Sequence, residues 1–267
     1  MNRLQQRLDA LSASNKKALI SYVVAGDPDA ETTVSVMHEL VAAGADIIEL
    51  GVPFSDPSAE GPVIQRAHER ALANNTGMQK VLQMVSDFRQ NDPDTPMVLM
   101  GYANPIEWMG YREFCQAAVE AGVDGILVVD IPPEEADEIN AVLTEFGLYN
   151  VFLLAPTTTD ARIKQICRYA NGFLYYVSLK GVTGSGALDI GSVQQKVADI
   201  RRHTSLSICV GFGIKDAVSA AAVSEVADGV VVGSAFVDLL AANDDKTAGQ
   251  NQVGALARSM RDAIDSL

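Results

Sequence analysis

Eight short apolar runs recur along these 267 residues, separated by longer amphipathic stretches, and that alternation constrains the fold more than any other feature. The runs are residues 19–24, 46–50, 97–101, 125–129, 150–154, 173–177, 207–210 and 229–232. Helical spacing appears between them, for example over 32–43, 111–121, 133–146 and 160–169. Each intervening stretch is long enough for a right-handed crossover between parallel strands. Hydrophobic residues reach 48% while aromatics stay at 6%, a mix that suits strands buried on both faces. The expected fold is α/β: one (β/α)8 TIM-barrel domain over 1–267, with extra N- and C-terminal helices at 2–11 and 253–267. An open doubly wound sheet is the alternative, weakened because no Gly-x-Gly-x-x-Gly follows the first run.

The net charge of −14 argues against a nucleic-acid partner, whose phosphates such a surface repels. It does not forbid a small anionic substrate, since backbone dipoles can hold a single phosphate. Cys115, Cys167 and Cys209 are widely spaced and belong to no CxxC or Cys/His cluster, so reduced, mostly buried thiols are expected. The first eleven residues carry charges throughout, and no run is long enough to span a bilayer. A cytoplasmic protein is expected.

In a (β/α)8 barrel the segments following the strands share one face, where active sites sit. Glu49 lies near the end of the second run, in Asp46-Ile47-Ile48-Glu49-Leu50. Alternation groups it with Ile47, but periodicity alone leaves open whether that pair faces the barrel interior or solvent. Facing inward, a buried carboxylate would have the raised pKa that acid–base work near neutrality requires. The next connection, 51–62, is long for its type and adds Asp56 and Glu60, which read equally as turn former and solvated loop charge. Gly211-Phe212-Gly213 after the seventh run and Gly233-Ser234 after the eighth fit a phosphate site built from backbone N–H groups and a helix N-terminus. Three glycines within 181–186 suggest a loop that closes over a substrate, against the plainer reading of a surface loop.

Several of these segments together resemble one family. Ile48-Glu49-Leu50-Gly51-Val52-Pro53-Phe54-Ser55-Asp56-Pro57, Gly61-Pro62-Val63-Ile64-Gln65, Tyr102-Ala103-Asn104-Pro105, Gly181-Val182-Thr183-Gly184, Gly211-Phe212-Gly213-Ile214 and Gly233-Ser234-Ala235 resemble the tryptophan synthase alpha chain. The resemblance implies retro-aldol cleavage of indole-3-glycerol phosphate to indole and glyceraldehyde 3-phosphate, with neither metal nor cofactor on this chain. It implies a pyridoxal-phosphate β chain as partner, in an α2β2 heterotetramer. By the same resemblance Glu49 is the main acid–base residue, Glu60 the second catalytic carboxylate, and Tyr175 lines their site. Tyr22, Ile64, Met100, Thr183 and Phe212 then contact substrate, and backbone groups of Gly184, Gly213, Gly233 and Ser234 hold its phosphate. Pro53, Asp56 and Asn104, in loops at 53–56 and 102–105, would meet the β chain.

The sequence departs from the family pattern where Glu60 stands in place of an aspartate and Tyr22 in place of a commoner phenylalanine. A carboxylate displaced by about 1 Å can cost on the order of 100-fold in rate. Glu60 therefore favours an alternative in which the chain is a weakly catalytic partner that binds and activates a β chain.

Overall fold

The strands lie on the apolar runs, and several end at glycine. A computed structural model describes residues 2–178, 189–211, 213–243 and 245–267. Its strands are β1 (Ala18–Val24), β2 (Ile47–Gly51), β3 (Met97–Gly101), β4 (Gly125–Val128), β5 (Tyr149–Asn150), β6 (Phe152–Leu154), β7 (Phe173–Val177), β8 (Ser207–Gly211) and β9 (Gly229–Val232). They pair in parallel in the order β5-β4-β3-β2-β1-β9-β8-β7-β6. β5 and β6 are two halves of the expected fifth strand, parted at Val151, whose N–H still donates to the Ile126 carbonyl at 2.9 Å. The two ends of the sheet are thus one stretch of chain, and nine segments fill eight barrel positions. A doubly wound sheet, with two separate edges, is excluded.

The helices are α1 (Arg3–Ala13), α2 (Ala30–Ala42), α3 (Pro62–Ala73), α4 (Met78–Arg89), α5 (Ala103–Met109), α6 (Tyr111–Ala121), α7 (Asp137–Phe146), α8 (Asp160–Ile166), α9 (Ile190–Arg201), α10 (Ala217–Ser224), α11 (Ser234–Ala241) and α12 (Lys246–Asp265). Three expectations need correction. The pattern over 133–146 breaks at Ala136 into a single 3₁₀ turn followed by α7. The segment read as a loop at 102–105 opens a helix, α5, from Ala103. The last helix begins at Lys246 rather than 253, because Gly249 and Gly254 dilute its apolar period while letting it pack closely. A Cβ on Gly254 would lie 2.1 Å from a Glu39 carboxylate oxygen of α2.

Two apolar layers result. Leu19, Ile48, Leu50, Leu99 and Ile126 face outward into the layer between sheet and helices. Ile20, Ile47, Val98, Leu127, Phe173, Cys209 and Val231 fill the barrel, and Leu4, Leu8 and Leu11 of α1 plug its lower end. Cys115 and Cys209 are buried free thiols, and burial pushes both thiol pKa values up. No helix among the described residues is long and apolar enough to cross a membrane.

The lower rim is tied by one device used three times. An aspartate just before a strand accepts an N–H from the first or second residue of the neighbouring strand: Asp46 from Leu19 (2.9 Å), Asp124 from Met97 (2.9 Å) and Asp228 from Ile208 (2.8 Å). An arginine meets each of these carboxylates: Arg261 on Asp46, Arg3 and Arg89 on Asp124, and Arg201 on Asp228. The upper rim, where the strands end, is left for a site.

Candidate active site

The packing of the residues around it on β2 settles which way Glu49 points. Ile47 belongs to the barrel interior and Ile48 and Leu50 to the outer layer, so Glu49 faces inward, level with Tyr22 on β1 and Val98 on β3. Glu49 is fully buried, and among the described residues neither carboxylate oxygen has a hydrogen-bond partner. Desolvation first, then the nearby Glu60 charge, raises its pKa from 4.5 to about 8. At neutral pH it is therefore mostly protonated.

A pocket of about 240 Å³ opens above this level. Tyr22, Glu60, Ile64, Met100, Tyr175, Gly213, Gly233 and Ser234, all singled out from the sequence, line it together with Gly61, Pro62, Val63, Ile214 and Val231. Glu49 lies deeper and does not line the open space. Burial raises the Glu60 pKa to about 7, so near neutrality Glu60 ionises before Glu49 does. The two carboxyl groups are thus biased toward one proton between them.

Two glycines make room for the two tyrosines. A Cβ on Gly51 would fall 2.3 Å from the Tyr22 hydroxyl, and one on Gly211 would fall 2.4 Å from the Tyr175 hydroxyl. Tyr22 is buried and Tyr175 half-buried near Glu49 and Glu60, and desolvation followed by those negative charges holds both phenols well above their ordinary pKa.

Just beyond β8, Gly213 adopts φ +84°, a conformation side-chain-bearing residues rarely take. Gly233 precedes the first turn of α11, which has no side-chain cap, so its leading N–H groups are available to an anion. Thr183, Gly184 and Phe212 lie outside the described residues.

The loop carrying Glu60 is held by residues to which the sequence assigns no part in holding it. The Tyr102 hydroxyl accepts from the Ala59 N–H at 3.1 Å, and its ring stacks on Phe54 at 5.0 Å. The Gln65 amide donates to the Glu60 carbonyl at 2.9 Å. His68 Nδ1 accepts from the Phe54 N–H at 3.0 Å. His68 had a readable signal: it shares the buried face of α3 with Ile64, Ala67 and Ala71 at helical spacing. Of the three interface candidates, Asp56 and Asn104 are exposed and Pro53 is buried. Trp108, the only tryptophan in the chain, stands 89% exposed on α5, one turn beyond Asn104.

The family model described as tryptophan synthase alpha chain matches residues 8–265. The chain belongs to that family. It is 56% identical to the tryptophan synthase alpha chain of Marinobacter nauticus, across 100% of this chain and 99% of the relative. To that of Thioalkalivibrio sulfidiphilus it is 57% identical, across 99% and 100%. Among solved structures, tryptophan synthase subunit alpha from Legionella pneumophila superposes with a TM-score of 0.94 at 49% identity, covering 100% of both chains. A chain of M. tuberculosis tryptophan synthase in its aminoacrylate-bound form gives 0.88 at 32% identity, covering 99% of this chain and 100% of that one. The enzyme is accordingly a lyase of tryptophan biosynthesis that cleaves indole-3-glycerol phosphate to indole and glyceraldehyde 3-phosphate.

Proposed function

We propose that Glu49 and Glu60 divide the chemistry of this cleavage between them, with the substrate phosphate held at Gly213, Gly233 and Ser234 and at Gly184. Protonated Glu49 donates to indole C3, which places positive charge at the ring nitrogen. Ionised Glu60 accepts the indole N–H and stabilises that charge. The Glu49 carboxylate then takes the proton of the glycerol hydroxyl next to the scissile bond. The C–C bond breaks, its electron pair returns to the indole ring, and the alcohol carbon becomes the aldehyde of glyceraldehyde 3-phosphate. The proton balance closes on Glu49, so the step calls for no cofactor on this chain. The observation that carries this reading is the fully buried Glu49 carboxyl, without a hydrogen-bond partner among the described residues, beneath a pocket that also contains Glu60. Tyr175 borders the same carboxylates, and Tyr22, Ile64 and Met100 with Thr183 and Phe212 complete the substrate contacts.

A pH dependence follows from the pair. Acid removes the Glu60 carboxylate and alkali removes the Glu49 proton. The profile of kcat/KM for indole release should be a narrow bell, with its acid limb near 7 and its alkaline limb near 8. A flat profile from pH 6 to 9 would contradict the division of roles.

Glu60→Asp tests the departure from the family pattern. The shorter acid is expected to raise kcat, or at worst leave it unchanged, by lowering the barrier by roughly 1–3 kcal/mol. A clear fall in kcat at unchanged KM would show a site rebuilt around glutamate.

The freed indole passes to a pyridoxal-phosphate β chain in a cytoplasmic α2β2 heterotetramer, docked on the rim that carries Pro53, Asp56 and Asn104. Exposed aromatics on such a rim dominate association when buried. Trp108→Ala should therefore weaken β-chain binding by about 10- to 100-fold. Because Trp108 is the only tryptophan, its emission should shift to the blue on titration with a β chain that lacks tryptophan. Unchanged affinity and emission would place the interface elsewhere.

A further inference from the structure

The hydroxyl of Tyr22 and the imidazole of His68 are one connected feature that the reaction scheme above does not use. Tyr22 Oη lies 3.4 Å from His68 Nε2, while Nδ1 of the same ring accepts from the Phe54 N–H at 3.0 Å. An N–H can only donate, so Nδ1 carries no proton. The proton of the neutral ring is then on Nε2, where it points at the Tyr22 oxygen. With its oxygen accepting from His68, the Tyr22 hydroxyl turns its own hydrogen away from the ring.

The surroundings are arranged for this group. His68 is 2% exposed on the inner face of α3, one turn after the pocket residue Ile64. Gly51 leaves the space the hydroxyl occupies, since a Cβ there would sit 2.3 Å from it. Burial depresses the His68 pKa to about 4, which keeps the ring neutral at working pH. Phe54 belongs to the loop that carries Glu60, and Tyr22 lines the pocket beside Glu60. A phenylalanine at position 22 would fill the same ring volume and leave His68 Nε2 without this acceptor.

We propose that His68 is a positioning residue of the cleavage site: held by the Phe54 amide with its proton on Nε2, it orients the Tyr22 hydroxyl and ties it to the loop bearing Glu60. This rests on the reading of the pocket as the indole-3-glycerol phosphate site. Tyr22 thereby presents a fixed hydroxyl donor to the pocket beside the two carboxyl groups, and His68 acts through it without touching substrate.

Two measurements on the full chain test the proposal. Long-range ¹H–¹⁵N correlation at pH 7 should show a neutral His68 protonated at Nε2; an Nδ1–H tautomer or an imidazolium would overturn it. In indole-release kinetics, Tyr22→Phe and His68→Asn should each lower kcat about 10-fold with KM changed less than about twofold, as expected for one lost orienting hydrogen bond. The asparagine oxygen takes the place of Nδ1 and keeps the Phe54 anchor, but its amide is too short to reach Tyr22. The double variant should be no slower than the slower single one. Additive losses, a change confined to KM, or full rates in both single variants would overturn the proposal alone. A parent chain that releases no indole would overturn the cleavage reading and this proposal with it.

Discussion

Glu49→Gln is expected to reduce indole formation by at least about 1,000-fold while leaving the fold and phosphate binding intact, because an amide of the same shape neither gives nor takes the proton. The same substitution should stabilise the protein in alkali. Burial raises the folded-state pKa of Glu49 from 4.5 to about 8, so the folded chain holds this proton more tightly than the unfolded chain. The stability it represents is complete below about pH 4.5 and is lost as pH rises through 8. Glutamine does not titrate. The stability of the variant relative to the parent should therefore grow between pH 5 and pH 9, by about 3–5 kcal/mol. Thermal melts of both proteins across that range measure it. A difference in Tm independent of pH would mean that Glu49 is hydrated rather than buried.

The second large effect is expected at the other end of the barrel. Asp124 is 3% exposed and accepts from the Met97 N–H, from Arg3 and from Arg89, which is itself only 10% exposed. Asp124→Ala leaves a strand N–H without its acceptor and a buried guanidinium without its counter-charge. Breaking a buried pair in this way typically costs about 3–5 kcal/mol. Arg112 and Glu145 form an exposed pair on the outer helices, and removing either should leave stability unchanged within error. Urea unfolding of the three variants at pH 7 gives the comparison. Because Asp124 precedes its strand, it lies far from the pocket, and kcat of the folded Asp124→Ala protein should match the parent. Equal midpoints for Asp124→Ala and the parent would contradict the account of the lower rim.

What could be read from the sequence follows from what periodicity encodes. The strands over 97–101, 173–177 and 229–232 end where the apolar runs end, because buried parallel strands have no other signature. The break at Val151 was not readable, since a lost ladder pairing leaves the apolar run unchanged. Alternation grouped Glu49 with Ile47 but could not say which face was inside; only the place of Ile47 in the interior cluster with Val98 and Leu127 settles that. Glu60 read equally well as a loop charge, because its half-buried place depends on the hold of Tyr102 on Ala59 and of Gln65 on its own carbonyl, neither of which a local pattern shows. His68 shows the opposite case: its place on an apolar helix face is visible in the sequence, whereas its two partners come from β1 and the β2–α3 loop. The resemblance supplied residue roles that no local pattern contains. Of these, the roles given to Thr183, Gly184 and Phe212 fall outside the described residues.

The central claim is that this pocket splits indole-3-glycerol phosphate between the indole ring and the glycerol side chain. Its most direct test incubates the purified chain with that substrate, alone and with a β chain but no serine, and quantifies both products. Indole and glyceraldehyde 3-phosphate should appear in equal amounts, faster with the β chain present, and inorganic phosphate should slow their release by competing at Gly213, Gly233 and Ser234. Substrate that remains intact under both conditions, or that is consumed without releasing indole, would contradict the account.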